Sequence, residues 1–401
     1  MIGWLARRLA LPRVVVVLSC VSLLNDSASE MITPLLPLFL TATLGAGPVV
    51  VGLIEGLAET ASSVLKLVAG WLADRGWNAK RLVVAGYGLS NAARPLIALA
   101  LGWSFVLALR VLDRIGKGIR TTPRDAMISA AVDERRRGHA FGFHRGMDHA
   151  GAVVGPLLAF AALGSGLDLA QVFLWSVLPG LAVMALLIAG VEHRQPVVAQ
   201  TRPVLRWSML DRRLRALVVT AAALAFASVP EAFLVLWANG HGVPVLHVPL
   251  LWAAAHVVKA VLAMFAGAAS DRIGRLPVVV GGWCARVLLL AAIAFAPGNA
   301  VQTWILFLAY AGALACTEGA ERALIGDMAP AQLRGTAFGI YNLALSLAAL
   351  PGALVFGILW QAVSAQAAFL TSASLTAACA AFLIALSRRP GGADQRDAVR
   401  R

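Results

Sequence analysis

Residues 267–275 read Gly-Ala-Ala-Ser-Asp-Arg-Ile-Gly-Arg, and residues 70–75 read Gly-Trp-Leu-Ala-Asp-Arg. The two segments share the pattern Gly-x-x-x-Asp-Arg and begin 267 − 70 = 197 positions apart. A second pair, Gly-His-Ala-Phe-Gly at 138–142 and Gly-Thr-Ala-Phe-Gly at 335–339, is displaced by the same 335 − 138 = 197 positions. Because this displacement is close to half of the 401 residues, it predicts two homologous halves.

The composition places these halves in a membrane. Hydrophobic residues make up 60% of the chain and charged residues 13%, with a mean hydropathy of +0.80. A soluble domain needs more charge to cover its surface, and a bilayer core takes about 20 helical residues per crossing. The apolar runs therefore predict an all-α polytopic membrane protein with twelve spans, at 13–42, 48–70, 81–101, 104–128, 138–163, 170–191, 214–238, 248–267, 276–296, 303–325, 335–360 and 366–387.

Basic residues segregate between alternate connections. The connections after even-numbered spans carry arginine or lysine, whereas those after odd-numbered spans contain neither. This pattern predicts cytoplasmic termini, and the predominance of arginine over lysine suggests a bacterial inner membrane. It also accounts for the net charge of +14 without a nucleic-acid partner. The predicted units are an N-terminal six-helix bundle (1–191), a cytoplasmic linker (192–213), a C-terminal six-helix bundle (214–387) and a cytoplasmic tail (388–401).

The motif between spans 8 and 9, and its shorter copy between spans 2 and 3, resemble the signature loop of the major facilitator superfamily. The resemblance implies that spans 1, 4, 7 and 10 line a central cavity and that spans 3, 6, 9 and 12 are outer supports. Asp74 and Asp271 are expected just before helix starts, where the helix dipole favours a carboxylate, and the neighbouring arginines can pair with the facing half. The predicted gating residues are Gly70, Asp74, Arg75, Gly267, Asp271, Arg272, Gly274 and Arg275.

Ionisable side chains inside the predicted spans are costly, at about 2.5–3.5 kcal/mol each on insertion scales, so they need partners or water. We interpret them as lining a solvated cavity, with structural ion pairs as the alternative. Asp113 and Lys117 have the favourable acid-then-base spacing of four, and an acid from span 1 is expected to approach Arg110 and Arg114. The predicted substrate and proton cavity comprises Asp26, Glu30, Glu59, Arg110, Asp113, Arg114, Lys117, His144, Arg145, Asp148, Glu231 and Glu318.

Span 5 carries two further patterns. His144 and Asp148 have the spacing of a proton relay, whereas a metal site of His144, Met147 and His149 is disfavoured, because residue 149 lies on another helix face. We therefore predict no metal site. Gly151, Gly155 and Pro156 permit close helix packing. These three also resemble part of the antiporter signature of drug–proton exchangers in the superfamily, which favours export.

These features predict a secondary transporter, coupled to protons, that moves a small polar or amphipathic solute and exports it. The alternatives are a proton-coupled importer of an anionic metabolite or metal chelate, and a membrane sensor or scaffold without transport. An enzyme is not expected, because neither Gly-x-Ser-x-Gly nor His-Glu-x-x-His occurs. No Gly-x-x-x-x-Gly-Lys-Ser/Thr motif is present for ATP. We expect no cofactor, a monomer, and partners limited to substrate, protons and lipids.

Overall fold

The computed structural model of the chain describes residues 11–75, 77–133, 136–191, 207–329 and 333–388. Within these residues, twelve long helical segments follow one another, and they are numbered here in chain order. They are α1 (Arg13–Thr43), α2 (Pro48–Asp74), α3 (Ala79–Leu99), α4 (Trp103–Ala130), α5 (Arg137–Gly164), α6 (Leu169–Gly190), α7 (Arg212–Gly240), α8 (Val245–Ile273), α9 (Arg275–Ala294), α10 (Ala300–Met328), α11 (Arg334–Ala362) and α12 (Ala365–Arg388).

The prediction of an all-α membrane protein is confirmed. Among the described helices, eleven are long and apolar enough to cross a membrane. The remaining helix, α4, spans 28 residues but carries a charged residue at almost every turn. Large apolar side chains such as Leu181, Phe265 and Leu288 are exposed on the outside of the bundle, as expected where the surrounding solvent is lipid.

The two halves make their most extensive contacts through two pairs of helices. Helix α2 packs against α11, and α5 packs against α8. In the repeat, each helix of the first half corresponds to the helix six places later, so α2 corresponds to α8 and α5 to α11. The interface between α2 and α11 therefore corresponds to the interface between α8 and α5. Small residues bring α2 and α11 together: a Cβ atom at Gly52 would lie 2.3 Å from the carbonyl oxygen of Ala353. This arrangement agrees with the two-repeat fold inferred from the sequence.

Apolar packing differs between the two ends of the bundle. We call the end with the connections after odd-numbered helices the odd-loop face, and the opposite end the even-loop face. At the odd-loop face one core cluster joins both halves and includes Phe39, Phe233 and Phe356. At the even-loop face the described residues form two clusters, one within each half, such as those around Tyr87 and Trp283. The halves are therefore joined at the odd-loop face and separate at the even-loop face.

Helices α1 and α7, the first helix of each half, are interrupted in the middle. The first part of α1 ends at Glu30 and a turn follows, before a short α-helical and π-helical segment. In α7 the first part ends at Ala227 and the second begins at Glu231. Irregular backbone at membrane depth is tolerated where it is buried in protein or lines a water-filled cavity. The two breaks therefore indicate where a polar cavity can lie.

Helix α4 lies between α2 and α3 at very close range. A Cβ atom at Gly116 would lie 2.5 Å from the carbonyl oxygen of Gly86 in α3. On the other side, a Cβ atom at Gly118 would lie 2.7 Å from the carbonyl oxygen of Ser62 in α2. The two glycines thus let both neighbours approach the α4 backbone, which holds the charged residues of α4 in fixed positions.

Candidate functional site

A cavity of about 270 Å³ lies between the halves, next to the break in α7. Both halves contribute to its wall, and four of the lining residues are ionisable: Glu55, Glu59, Arg114 and Glu231. The remaining lining residues are small, apolar or uncharged, and they are Thr33, Gly56, Ala225, Ser228, Val229, Pro230, Ala232, Trp252, Ala349 and Ala353. A mixed wall of this kind is typical of small-molecule sites.

The charges of α4 are organised by long-range contacts. Asp113, which is fully buried, accepts a hydrogen bond of 3.0 Å from Nε of Arg94 on α3 and lies 3.5 Å from Nη1 of Arg110. Arg110 also lies 3.6 Å from Glu55 of α2. Arg94 Nη1 donates to the backbone and side-chain oxygens of Asn25 at 3.1 and 3.0 Å, which ties α3 to α1.

The predicted partners of Asp113 and of Arg110 are therefore wrong. The partners of Asp113 are Arg94 and Arg110, not Lys117. The acids beside Arg110 come from α2 and α4, not from α1. A spacing of four places Asp113 and Lys117 on one helix face, but the guanidinium of Arg94, on a neighbouring helix, binds the carboxylate instead. Helix α3, expected to be only an outer support, thus supplies a buried cation to the network.

A polar contact between the halves involves Glu30 of α1. Its Oε2 atom accepts a hydrogen bond of 2.8 Å from the indole nitrogen of Trp252 on α8, and Nε2 of His256 lies 3.7 Å from the same oxygen. One turn further along α8, Lys259 pairs with Glu231 of α7. A single face of α8 therefore binds the glutamates at both helix breaks, one from each half.

Among the residues that the structure describes, two of the four ionisable lining residues have partners and two do not. Glu55 pairs with Arg110, and Glu231 pairs with Lys259. For Glu59 and Arg114, the described residues provide neither a hydrogen bond nor an opposite charge within 4 Å. Glu59 is exposed and Arg114 is half-buried. These two side chains are available for a ligand.

A second polar cluster lies nearer the even-loop face, between α1, α4 and α5. Asp148 accepts a hydrogen bond from Ser22 and lies 3.7 Å from His144 and 3.4 Å from Arg145. Arg124 joins this cluster by donating to Ser22 at 3.3 Å. A Cβ atom at Gly151 would lie 2.4 Å from the Leu23 carbonyl oxygen and one at Gly155 2.4 Å from the Ser27 carbonyl oxygen, so α1 and α5 pack closely here, where Pro156 lies inside α5.

The remaining predicted cavity residues are spread over several places. Asp26 accepts a hydrogen bond of 3.0 Å from Asn25, and Lys117 is half-buried beside it on α4. Glu318 is exposed and pairs with Arg322 at 2.8 Å. His144 is buried and His149 is exposed. Within the described parts of the chain, no group of three His, Cys, Asp or Glu side chains is arranged to hold a metal ion.

The signature loop between α8 and α9 is held within its own half in this state. Arg275 donates to Asp271 and to Ser270 at 2.7 Å, and its Nε atom lies 3.4 Å from Asp327 of α10. Gly274 has a φ of 94°, a left-handed conformation that favours glycine and lets α8 end before α9 begins. The pairing of these arginines with the facing half stays a prediction for the opposite state.

The predicted position of the two loop aspartates is wrong. Asp271 lies in the last turn of α8, and Asp74 is the last residue of α2. The residue that caps the next helix in the first loop is Asn78, whose side chain accepts a hydrogen bond of 3.1 Å from the Arg81 amide. The side chain of Asp74 lies outside the described residues. The apolar runs end before the helices do, because a helix continues into the polar boundary of a membrane.

Replacing Arg275 by alanine is expected to change the balance between conformations more than the affinity for a ligand. The guanidinium joins the end of α8 to α10, so its loss frees the even-loop end of α8. The measurement is the labelling rate of a cysteine placed at exposed Val64 in a background without native cysteines. Arg212→Ala, at an exposed position, is the control. A loss of ligand affinity with an unchanged labelling rate would contradict the gating role.

Four residues of the site were not among the predicted site residues: Glu55, Trp252, His256 and Lys259. The i, i+4, i+7 spacing of the last three is a signal for a polar stripe on span 8, since it places them on one helix face. Trp252 by itself carries no such signal. Its role depends on Glu30, which is 222 residues away in the chain.

Comparisons with known proteins agree with this architecture. A family model of the Major Facilitator Superfamily matches residues 18–259 and 234–400. An uncharacterized MFS-type transporter of Methanocaldococcus jannaschii is 30% identical over 364 residues, which cover 89% of this chain and 90% of the relative. A multidrug resistance protein of Photorhabdus laumondii is 32% identical over 129 residues, or 32% of each chain.

Solved structures show the same fold. A bacterial homologue of the human lysosomal transporter Spinster, in an inward-facing and occupied conformation, superposes with a TM-score of 0.79 at 18% identity, covering 94% of this chain and 96% of that one. A nucleoside transporter gives the same TM-score at 13% identity, covering 93% and 99%. At such identities the likeness concerns the fold alone.

Proposed function

Because the chain belongs to the major facilitator superfamily, we propose that it is a secondary active transporter that moves a small polar or amphipathic solute by alternating access. The observation that supports this most directly is the asymmetry of the packing. The halves share one core at the odd-loop face and have separate cores at the even-loop face. The cavity with its free charges lies between them, near the helix breaks. Rocking the halves about this point exposes the cavity to the other side.

Proton coupling is assigned to Glu30. This carboxylate lies at the contact between the halves, where Trp252 and His256 bind it. The charged groups around it are Asp26 on its own helix, Arg114 and Lys117 on α4, Glu231 on α7, and His256 and Lys259 on α8. A proton on Glu30 removes the charge that α8 binds. The two protonation states therefore favour different arrangements of the halves.

The direction proposed is export from the cytoplasm in exchange for protons. The segregation of basic residues supports a cytoplasmic even-loop face, and in this orientation the structure is the inward-open state. The Gly151, Gly155 and Pro156 pattern and the partial likeness to a multidrug resistance protein both support export.

The test is transport by the purified protein in proteoliposomes with an imposed pH gradient. Labelled amino acids, organic acids and cationic dyes serve as probes, and a pH-sensitive dye in the lumen reports proton movement. We expect a probe to move against its gradient while protons move in the opposite direction. Movement together with protons would reverse the proposed direction, and movement independent of any pH gradient would refute the coupling. A sensor or scaffold would move none of the probes.

A further inference from the structure

The cavity wall presents opposite charges that the protein itself leaves unpaired. Glu59 on α2 and Arg114 on α4 both line the cavity, and neither has an ion-pair or hydrogen-bond partner among the described residues. The positive charge of Arg114 acts on Glu59, yet the two charged groups lie farther apart than the 4 Å of an ion pair. Ionised groups at this depth are costly unless water or a ligand satisfies them.

The other ionisable lining residues are already neutralised. Glu55 pairs with Arg110, which also contacts Asp113, and Glu231 pairs with Lys259. The charge that the cavity offers to a ligand is therefore one carboxylate and one guanidinium. The numbers of acids and bases in the spans do not give the charge offered to a ligand, because most of these side chains pair with one another.

The wall from the C-terminal half is apolar apart from Ser228 and Glu231, which already bind Arg286 and Lys259. Helices α7 and α11 contribute Ala225, Val229, Ala232, Ala349 and Ala353 to it. Trp252 of α8 adds an aromatic surface, while its indole N–H is already donated to Glu30. The N-terminal half thus provides the free charges and the C-terminal half provides an apolar surface. A volume of about 270 Å³ limits the ligand to a compact molecule.

We propose that this cavity binds a small zwitterion with an apolar body, of the amino-acid type, an inference that rests on the proposed transport function. The ligand's anionic group pairs with Arg114, whose planar guanidinium suits a carboxylate. Its cationic group pairs with Glu59, and its apolar part lies against α7 and α11. A purely anionic ligand would leave Glu59 facing a like charge, and a purely cationic ligand would do the same to Arg114.

The experiment measures binding to the purified full-length protein by thermal shift and calorimetry. The probes are leucine and phenylalanine, each beside its amine (isopentylamine, phenethylamine) and its acid (isocaproate, hydrocinnamate). The three compounds of a set share one apolar body and differ in whether they carry the ammonium group, the carboxylate or both. We expect a zwitterion to stabilise the protein, and the matched amine and acid to bind at least about thirtyfold more weakly, since each leaves either Glu59 or Arg114 without an opposite charge in the cavity.

Glu59→Gln and Arg114→Gln are each expected to lower the affinity for the zwitterion by a similar factor. Asp133→Asn and Arg212→Gln, at exposed positions outside the cavity, are the matched controls and should bind as the parent does. Binding of an amine or acid as tight as that of its zwitterion would overturn the proposal. So would unchanged affinity in either cavity variant, or the failure of both zwitterions to bind. Spin-label distances across the two faces test alternating access independently of zwitterion binding. If the zwitterions do not bind but these distances change in opposite directions, the binding proposal fails and the transport proposal stands.

Discussion

Glu30→Gln is expected to reduce gradient-driven transport at least about tenfold, equivalent to about 1.4 kcal/mol, while the protein stays folded and inserted. Glutamine keeps the volume of the side chain, and its amide oxygen can still accept the hydrogen bond that Trp252 donates. It cannot take up or release a proton. Exchange of substrate between two equal pools, which needs no net proton movement, should therefore persist.

The comparison of two assays makes this prediction specific. A variant that had merely lost its structure would lose exchange as well as gradient-driven transport. Asp26→Asn, one turn away on α1, is expected to impair gradient-driven transport in the same way, since Asp26 and Glu30 act on each other electrostatically. Unchanged gradient-driven transport in both variants would remove α1 from proton coupling.

Asp113→Asn is expected to destabilise the fold by about 3–5 kcal/mol, because it removes the charge that compensates two buried guanidinium groups. Asp113 and Arg110 are almost completely buried, and Arg94 is 2% exposed. Loss of the carboxylate leaves Arg110 with Glu55 alone. The measurement is the melting temperature of the purified protein.

Asp133→Asn, in the exposed connection between α4 and α5, controls for the same chemical change without burial. Its melting temperature should match that of the parent. An Asp113→Asn protein as stable as this control would show that Arg94 and Arg110 find other partners, and that the network around α4 does not hold the helices together.

Features that depend on local composition or on the repeat could be predicted from the sequence. The twelve spans agree with the helices of the structure, because each apolar run is long enough for one crossing and is bounded by turns or charges. The boundaries were less accurate: the run at 248–267 predicts a helix that extends over Val245–Ile273. Charged residues such as Asp271 can continue a helix beyond the apolar part of a span.

The partners of buried charges could not be predicted, because they depend on how helices far apart in the sequence pack. Spacing along one helix suggested a pair of Asp113 with Lys117, but Arg94, on the preceding helix, takes that place. The contact between Glu30 and Trp252 joins the two halves, and no local pattern indicates it. The predicted set of cavity residues did include Glu30 and Glu231, the two glutamates that lie at the helix breaks.

The cavity is proposed to open alternately to the two faces. The most direct measurement is the distance between spin labels across each face, in lipid, with and without substrate and a pH gradient. One pair, Val49→Cys with Gln361→Cys, spans the odd-loop face, where the Val49 amide donates to Gln361 at 3.2 Å. The other, Gly138→Cys with Ile273→Cys, spans the even-loop ends of α5 and α8. We expect a short first distance and a long second one at rest, which change in opposite directions under turnover; distances that stay fixed, or that increase together, would contradict alternating access.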